Sequence, residues 1–289
     1  MLAPIDTPDL VKAQLLARLH ETLPELTLPL EEGFASLTLD LPCVPVAAPE
    51  LSVPHFLLSR ADRRELRAGY GIAAEWRAAG PERLTRLRTD ALRLRRCWHR
   101  WDPDGTGLNA FALLGFSAAP GPASDDTAVD GLPDAVLWLP EVAVGRSGAR
   151  AALTLTTRLP ADPSAILQRW AAWIDRLVPR LFHGSQPPLA PAPVPAMPER
   201  RWAHPDRDGW NLRVDAALAA IANGDLDKVV LARRLCVHGR RPFDLDRLVA
   251  ALSRLFPSCQ VVKLRRDGHC LVAATPERLL ALHGGRVEV

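Results

Sequence analysis

Two residues in the last third of this 289-residue chain have types and neighbours suited to proton transfer: Lys228 in Gly224–Arg233 (GDLDKVVLAR) and Glu277 in Ala273–Leu280 (AATPERLL). Lys228 stands at the mouth of Val229-Val230-Leu231-Ala232, a strand-like run apolar on both faces. Burial among such neighbours disfavours the ammonium form, which would fit this lysine to act as a general base on water. The same position suits a structural lysine that reaches solvent or pairs with Asp225 or Asp227. Glu277 falls in the first turn of an expected helix, where the dipole favours any carboxylate. A general acid there needs a dry setting whose desolvation outweighs that dipole. Arg278 and His283 read as surface or capping groups.

Composition bounds what surrounds these residues. With 48% hydrophobic and 24% charged residues, the chain has ample material for a core. No apolar run reaches the roughly 20 residues of a membrane-spanning helix, and the start, MLAPIDTPDL, has no basic-then-apolar leader. A cytoplasmic protein with no membrane partner is the expectation. Cys43, Cys97, Cys236, Cys259 and Cys270 are scattered, without CxxC or zinc-type histidine spacing, and read as reduced thiols. The formal charge of +3 gives no global field for a polyanion. Arginines 83, 86, 88, 93, 95, 96 and 100 crowd one expected helix, but Leu84, Leu87 and Leu94 supply an ordinary buried stripe and no nucleic-acid motif accompanies them. No nucleic-acid partner is expected.

Periodicity places the elements. Leu10–Leu23 reads as a helix, Ala35–Leu41 as an alternating segment, and Pro54–Arg60, Tyr70–Ala74 and Leu108–Phe116 as strands, with the arginine-rich helix opened by Pro81. Ser117–Pro133 is aperiodic and rich in Ala, Pro, Gly and Asp, so a surface loop is expected. Strands follow at Ala135–Leu139 and Ala151–Thr157, then a helix over Pro163–Phe182. Six prolines between Ser185 and Arg200 mark a linker or surface crossing. They divide the chain into 1–184, the linker 185–200 and 201–289.

In the last part, Trp210–Ala222 is an amphipathic helix stopped by Asn223-Gly224, and Lys228–Val237 is a strand. Asp244 caps a helix ended by Pro257. Gln260–Leu264 and His269–Ala274 flank the hairpin signal Asp267-Gly268. Thr275 and Pro276 suit the cap and first position of a helix closed by Gly284-Gly285, after which Arg286–Val289 begins a strand.

The stretches GDLDKVVLARR, FDLDRLVAALSRLFPSC and VAATPERLLAL resemble the chorismate-utilising enzymes, most closely the isochorismate synthases. In the amino-terminal part, PHFLLSR, GYGIAAEWRAAGPERL, LLGFSA and LPDAVLWLPEV resemble the less constant half of the same enzymes. The resemblance implies an α/β (α+β) fold of layered antiparallel sheets with helices outside. It implies chorismate as substrate, Lys228 as the base that activates water towards C2 and Glu277 as the acid that protonates the departing C4 hydroxyl.

Lysine at 228 also discriminates within the family, because the amine-adding members typically carry glutamine there. Water is the nucleophile this implies, and no glutaminase subunit is expected. Salicylate synthases share the lysine and are the alternative, although FPSC and ATPERLL resemble isochorismate synthase more. The resemblance further implies Mg2+, held by two glutamates beyond the last motif. Those ligands and much of the substrate-carboxylate site are expected after Val289, so the chain resembles the front two-thirds of such an enzyme. An active enzyme read incompletely and an inactive fragment that needs a partner chain are the two readings of that length. Menaquinone, siderophore and salicylate pathways all use isochorismate, and no residue chooses among them.

Overall fold

The computed structural model describes residues 7–29, 31–43, 45, 48–117, 133–182, 200–239, 242–277, 281–283 and 286–288. Apart from Ser117, Pro133 and Arg200, the expected loop at 117–133 and the proline-rich stretch at 185–200 lie outside these residues. The chain divides into two compact units, Met1–Gln186 with Leu245–Val289, and Pro187–Asp244.

The larger unit is built on an eight-stranded sheet in the order β13-β12-β2-β3-β8-β9-β1-β5. Its strands are β1 (Gly33–Asp40), β2 (His55–Arg60), β3 (Glu65–Tyr70), β5 (Trp98–Trp101), β8 (Val142–Ser147), β9 (Arg150–Leu159), β12 (Gln260–Arg266) and β13 (His269–Thr275). Neighbours are antiparallel except β1 and β5. Helices α1 (Pro8–Thr22) and α3 (Pro163–Phe182) cover one face. Thr7 begins α1 by accepting from the Leu10 N–H, with Pro8 in the first turn, where its missing donor costs nothing. The periodic face of α3, including Ile166, Trp170, Ile174 and Leu177, packs with Val11, Leu15, Leu37, Leu39 and Leu153 in one core. On the other face of β1 and β9, the buried hydroxyls satisfy one another, Ser36 with Thr156 at 2.8 Å and Thr38 with Thr154 at 3.0 Å.

A second sheet, β4-β7-β6, comprises β4 (Ala74–Ala78), β6 (Leu113–Phe116) and β7 (Ala135–Leu139). It packs with α2 (Arg83–Cys97), which buries Arg83, Leu87 and Leu94 and leaves the other arginines of the helix exposed. Phe56 of β2 meets Trp138 of β7 edge-on at 5.2 Å, joining the sheets through a small apolar cluster. The strand expected at Tyr70–Ala74 is instead the passage between sheets. Gly71 adopts φ +68°, a conformation that ends β3, and Trp138 Nε1 donates to its carbonyl at 2.8 Å. Within Leu108–Phe116 only the last four residues form a strand.

The smaller unit holds β10 (Arg200–His204), α4 (Arg207–Ala222) and β11 (Arg234–His238). Strands β10 and β11 pair antiparallel, and Asp206 caps α4 by accepting from the Gly209 N–H at 2.9 Å. Gly224 takes φ +78° just past the helix, as its sequence signal required. No residue of α4 is buried.

Back in the larger unit, α5 (Leu245–Leu255) precedes the hairpin of β12 and β13, whose turn has φ +47° at Asp267 and +81° at Gly268. Both values suit the Asp-Gly turn anticipated there. The helix expected from Pro276 to His283 is not formed across its second half. Residues Ala281–His283 are strand β14, paired antiparallel with β15 (Arg286–Glu288), where the end of a helix was expected.

Candidate active site

Lys228 follows the stop of α4 in a segment outside any helix or strand that precedes β11. It is exposed, and so are Val229 and Val230, the latter by 82%. The burial expected of this run is therefore absent among the described residues. An apolar sequence supplies strand preference but no cover. The described part of this unit offers one two-stranded ribbon and a helix without a buried face.

Glu277 belongs to the larger unit, two residues beyond β13, and is also exposed. Thr275 does the local work foreseen for a cap: its hydroxyl accepts from the Glu277 N–H at 3.3 Å and reaches the Glu277 carbonyl at 3.3 Å. The turn is made by a side chain competing for backbone groups, as threonine does at element ends. Arg278 lies outside the described residues, and His283 sits on β14. The two proposed acid–base residues thus occupy separate units, each exposed.

The strand pair leading to Glu277 is held by charges that the sequence reading passed over. Lys263 on β12 is 2% exposed. Its ammonium donates to Glu50 and, at 2.8 Å, to Asp246 of α5, while Arg265 donates to the other oxygen of Glu50. Buried His55 completes the group. Its Nδ1–H donates to the Val53 carbonyl at 2.9 Å, leaving Nε2 as the lone-pair nitrogen 3.3 Å from Glu50 but without a well-directed hydrogen bond. Tyr70 lies tilted against His55 with ring centroids 5.7 Å apart and donates to the Pro49 carbonyl.

The environment sets the protonation of this group. Burial pushes His55 below its ordinary range, aided by the positive charges of Lys263 and Arg265 and opposed by Glu50. Burial would raise Glu50, but Lys263, His55 and Arg265 outweigh it and hold the carboxyl low. Burial would lower Lys263, but Asp246 and Glu50 outweigh it and hold the ammonium high. Burial lifts Tyr70 well above the usual phenol range. On the opposite face of β12, Arg266 is buried against Glu75, which also holds Arg77. The readable signal for these groups was QVVKLRR, where cations interrupt an apolar strand on both faces.

An open cleft of about 320 Å3 in the larger unit is lined by residues that include Phe34, Trp76, Cys97 and Arg158, and neither proposed acid–base residue is among them. Among the described residues no three His, Cys, Asp or Glu side chains gather as a metal site, and no helix is long and apolar enough to cross a membrane.

Comparison with known proteins identifies the fold. The sequence pattern of the chorismate binding enzyme family matches residues 34–289, and this chain belongs to that family. It is 34% identical over 144 residues to isochorismate synthase MenF of Escherichia coli strain K12, covering 50% of this chain and 32% of that one. It is 32% identical over 82 residues to isochorismate synthase MenF of Bacillus subtilis strain 168, covering 28% and 17%. The solved structure of MenF, the menaquinone-specific isochorismate synthase from E. coli, superposes with a TM-score of 0.59 at 23% identity, covering 93% of this chain and 56% of that one. The mixed α/β architecture is thus that of the chorismate-binding enzymes, and the chain spans about half the length of the solved relative.

Proposed function

We propose that this chain carries isochorismate synthase chemistry, an isomerase reaction that adds water at C2 of chorismate with loss of the C4 hydroxyl. The single observation that supports it most is the family match over 34–289, which includes both GDLDKVVLAR and ATPERLL. Lys228 takes a proton from water as its oxygen bonds to C2. The ring double bonds shift, and Glu277 gives a proton to the C4 oxygen as it leaves as water. One water enters and one departs, so the product is an isomer, and lysine and glutamate exchange protonation states over the cycle.

Magnesium belongs to this proposal through the family resemblance alone. The described residues contain no cluster to hold it, and no step above runs through the metal. The proposal keeps 1–184 and 201–289 as the two parts of one chorismate-utilising fold in the cytoplasm. Its place in menaquinone supply rests on the solved relative described as menaquinone-specific.

The test is turnover of chorismate to isochorismate by the chain with Mg2+, read by chromatography of the products. Lys228→Ala is expected to lower kcat by about a hundredfold or more with unchanged circular dichroism. Undiminished turnover in that variant overturns the assignment of the base. Exposed on a segment outside any helix or strand, Lys228 can be replaced without disturbing a core.

A further inference from the structure

Strand β12 is locked in register from both faces by buried charges. Along a strand, successive side chains alternate in direction. Lys263 and Arg265 turn to the side of Glu50, Asp246 and His55, opposite Leu57 and His55 of β2. Leu264 and Arg266 turn to the other side, Leu264 onto the cluster of Phe56, Val136 and Trp138, and Arg266 onto Glu75. A slip of one residue exchanges the faces. It would drive Lys263 in among Phe56 and Trp138, set Leu264 beside two carboxylates, and part Glu50 and Glu75 from their cations. Buried ion pairs stabilise little against apolar replacements of equal volume, but they discriminate strongly between arrangements that pair them and arrangements that do not.

That register is passed on without a break. β12 and β13 pair at seven positions, from Arg266 opposite His269 to Gln260 opposite Thr275. At the open end Gln260 Nε2 donates to the Ser59 carbonyl of β2 at 3.1 Å. Thr275 then makes the turn that carries Glu277. We infer that Glu50 and Glu75 are positioning residues for Glu277, acting from opposite faces of the sheet through Lys263, Arg265 and Arg266. This rests on the reading of Glu277 as the acid, and adds to it two carboxylates that act through the cations they hold.

The experiment separates positioning from stability. In the full chain, Glu50→Gln with Lys263→Met removes the lock on one face while keeping volume, and Glu75→Gln with Arg266→Met does so on the other. Each double variant removes both members of its pair but leaves Asp246 or Arg77 without one partner, so the thermal midpoint is expected to fall by no more than about 4 °C. Amide hydrogen exchange over Ala273–Glu277 is expected to quicken about tenfold. With chorismate, kcat is expected to fall about a hundredfold at little-changed KM, the signature of a misplaced group. Glu50→Asp, which keeps the charge, is expected to recover most of kcat. Parental exchange in both double variants overturns the inference, as does a lowered midpoint with parental kcat. Should Glu277→Gln turn over chorismate like the parent, or the parent show no turnover, the acid reading fails and the exchange measurement still decides whether the two carboxylates set the backbone at Glu277.

Discussion

Two antiparallel strand pairs in this molecule both mix apolar and basic residues and have opposite surroundings. In the β10–β11 pair, Trp202, Leu235 and Val237 are exposed, and the apolar run before β11 that carries Lys228 lies in the open. In the β12–β13 pair, Val261, Lys263 and Arg266 are buried although two of the three are cations. Hydrophobic sequence did not decide which strand went inside. Neighbours did, because burial removes surface from water only where another surface covers it. The β12–β13 pair lies against β2 on one edge and beneath α5, whereas β11 has β10 as its partner among the described residues.

The contrast is sharpest at its extremes. Trp170→Ala, in the fully buried core of the larger unit, is expected to destabilise by about 3–5 kcal/mol. Leu218→Ala on α4, where the leucine is 59% exposed, should shift stability by no more than about 0.5 kcal/mol. Urea denaturation of the two variants checks both, and comparable losses would contradict the view that α4 lacks an apolar partner among the described residues.

Lys263→Ala probes an intermediate case. It leaves Glu50, 29% exposed, and Asp246, 40% exposed, without their shared cation. The partial exposure of both carboxylates softens the penalty of a fully buried unpaired charge, so a loss of about 1–3 kcal/mol is expected. A matched Lys228→Ala should leave the denaturation midpoint unmoved, since that lysine is exposed.

The smallest expected effect is pH dependence. His55 is held below its ordinary range by burial, so the unfolded chain binds its proton more readily than the folded one. Stability from this residue is present above the ordinary histidine range and is lost as pH falls through it towards the folded value. Glu50, also held low, adds a loss in more acid solution, and Lys263, held high, a loss only above the ordinary lysine range. The anchoring of β12 therefore has its full strength between the histidine and lysine ranges. His55→Gln should flatten the fall in urea midpoint on acidification through the histidine range, and an unchanged fall would assign that sensitivity elsewhere.

Local chemistry was legible wherever one element decided the matter. The amphipathic face of α3, the Asp267-Gly268 turn and the glycine stop after α4 each follow from backbone preference or period within a dozen residues. Errors arose where two segments had to meet. Tyr70–Ala74 reads as a strand, but Gly71 turns the chain from one sheet to the other. Thr275-Pro276 reads as a helix cap, yet Ala281–His283 pairs with β15. The apolar run after Lys228 reads as a buried strand, yet Val229 and Val230 are exposed and the lysine reaches solvent, one of the two settings its neighbours allow.

The sequence by itself determined the family of this chain and supplied the two residues proposed for proton transfer, because motif identity needs only order and residue type. Tertiary structure alone decided which cations are buried and what holds them. Glu50 and Lys263 are 213 positions apart, and no periodicity carries information over that distance. Only the pairing of β12 with β2 brings the two together, and only there does a lysine in an apolar strand become a register lock.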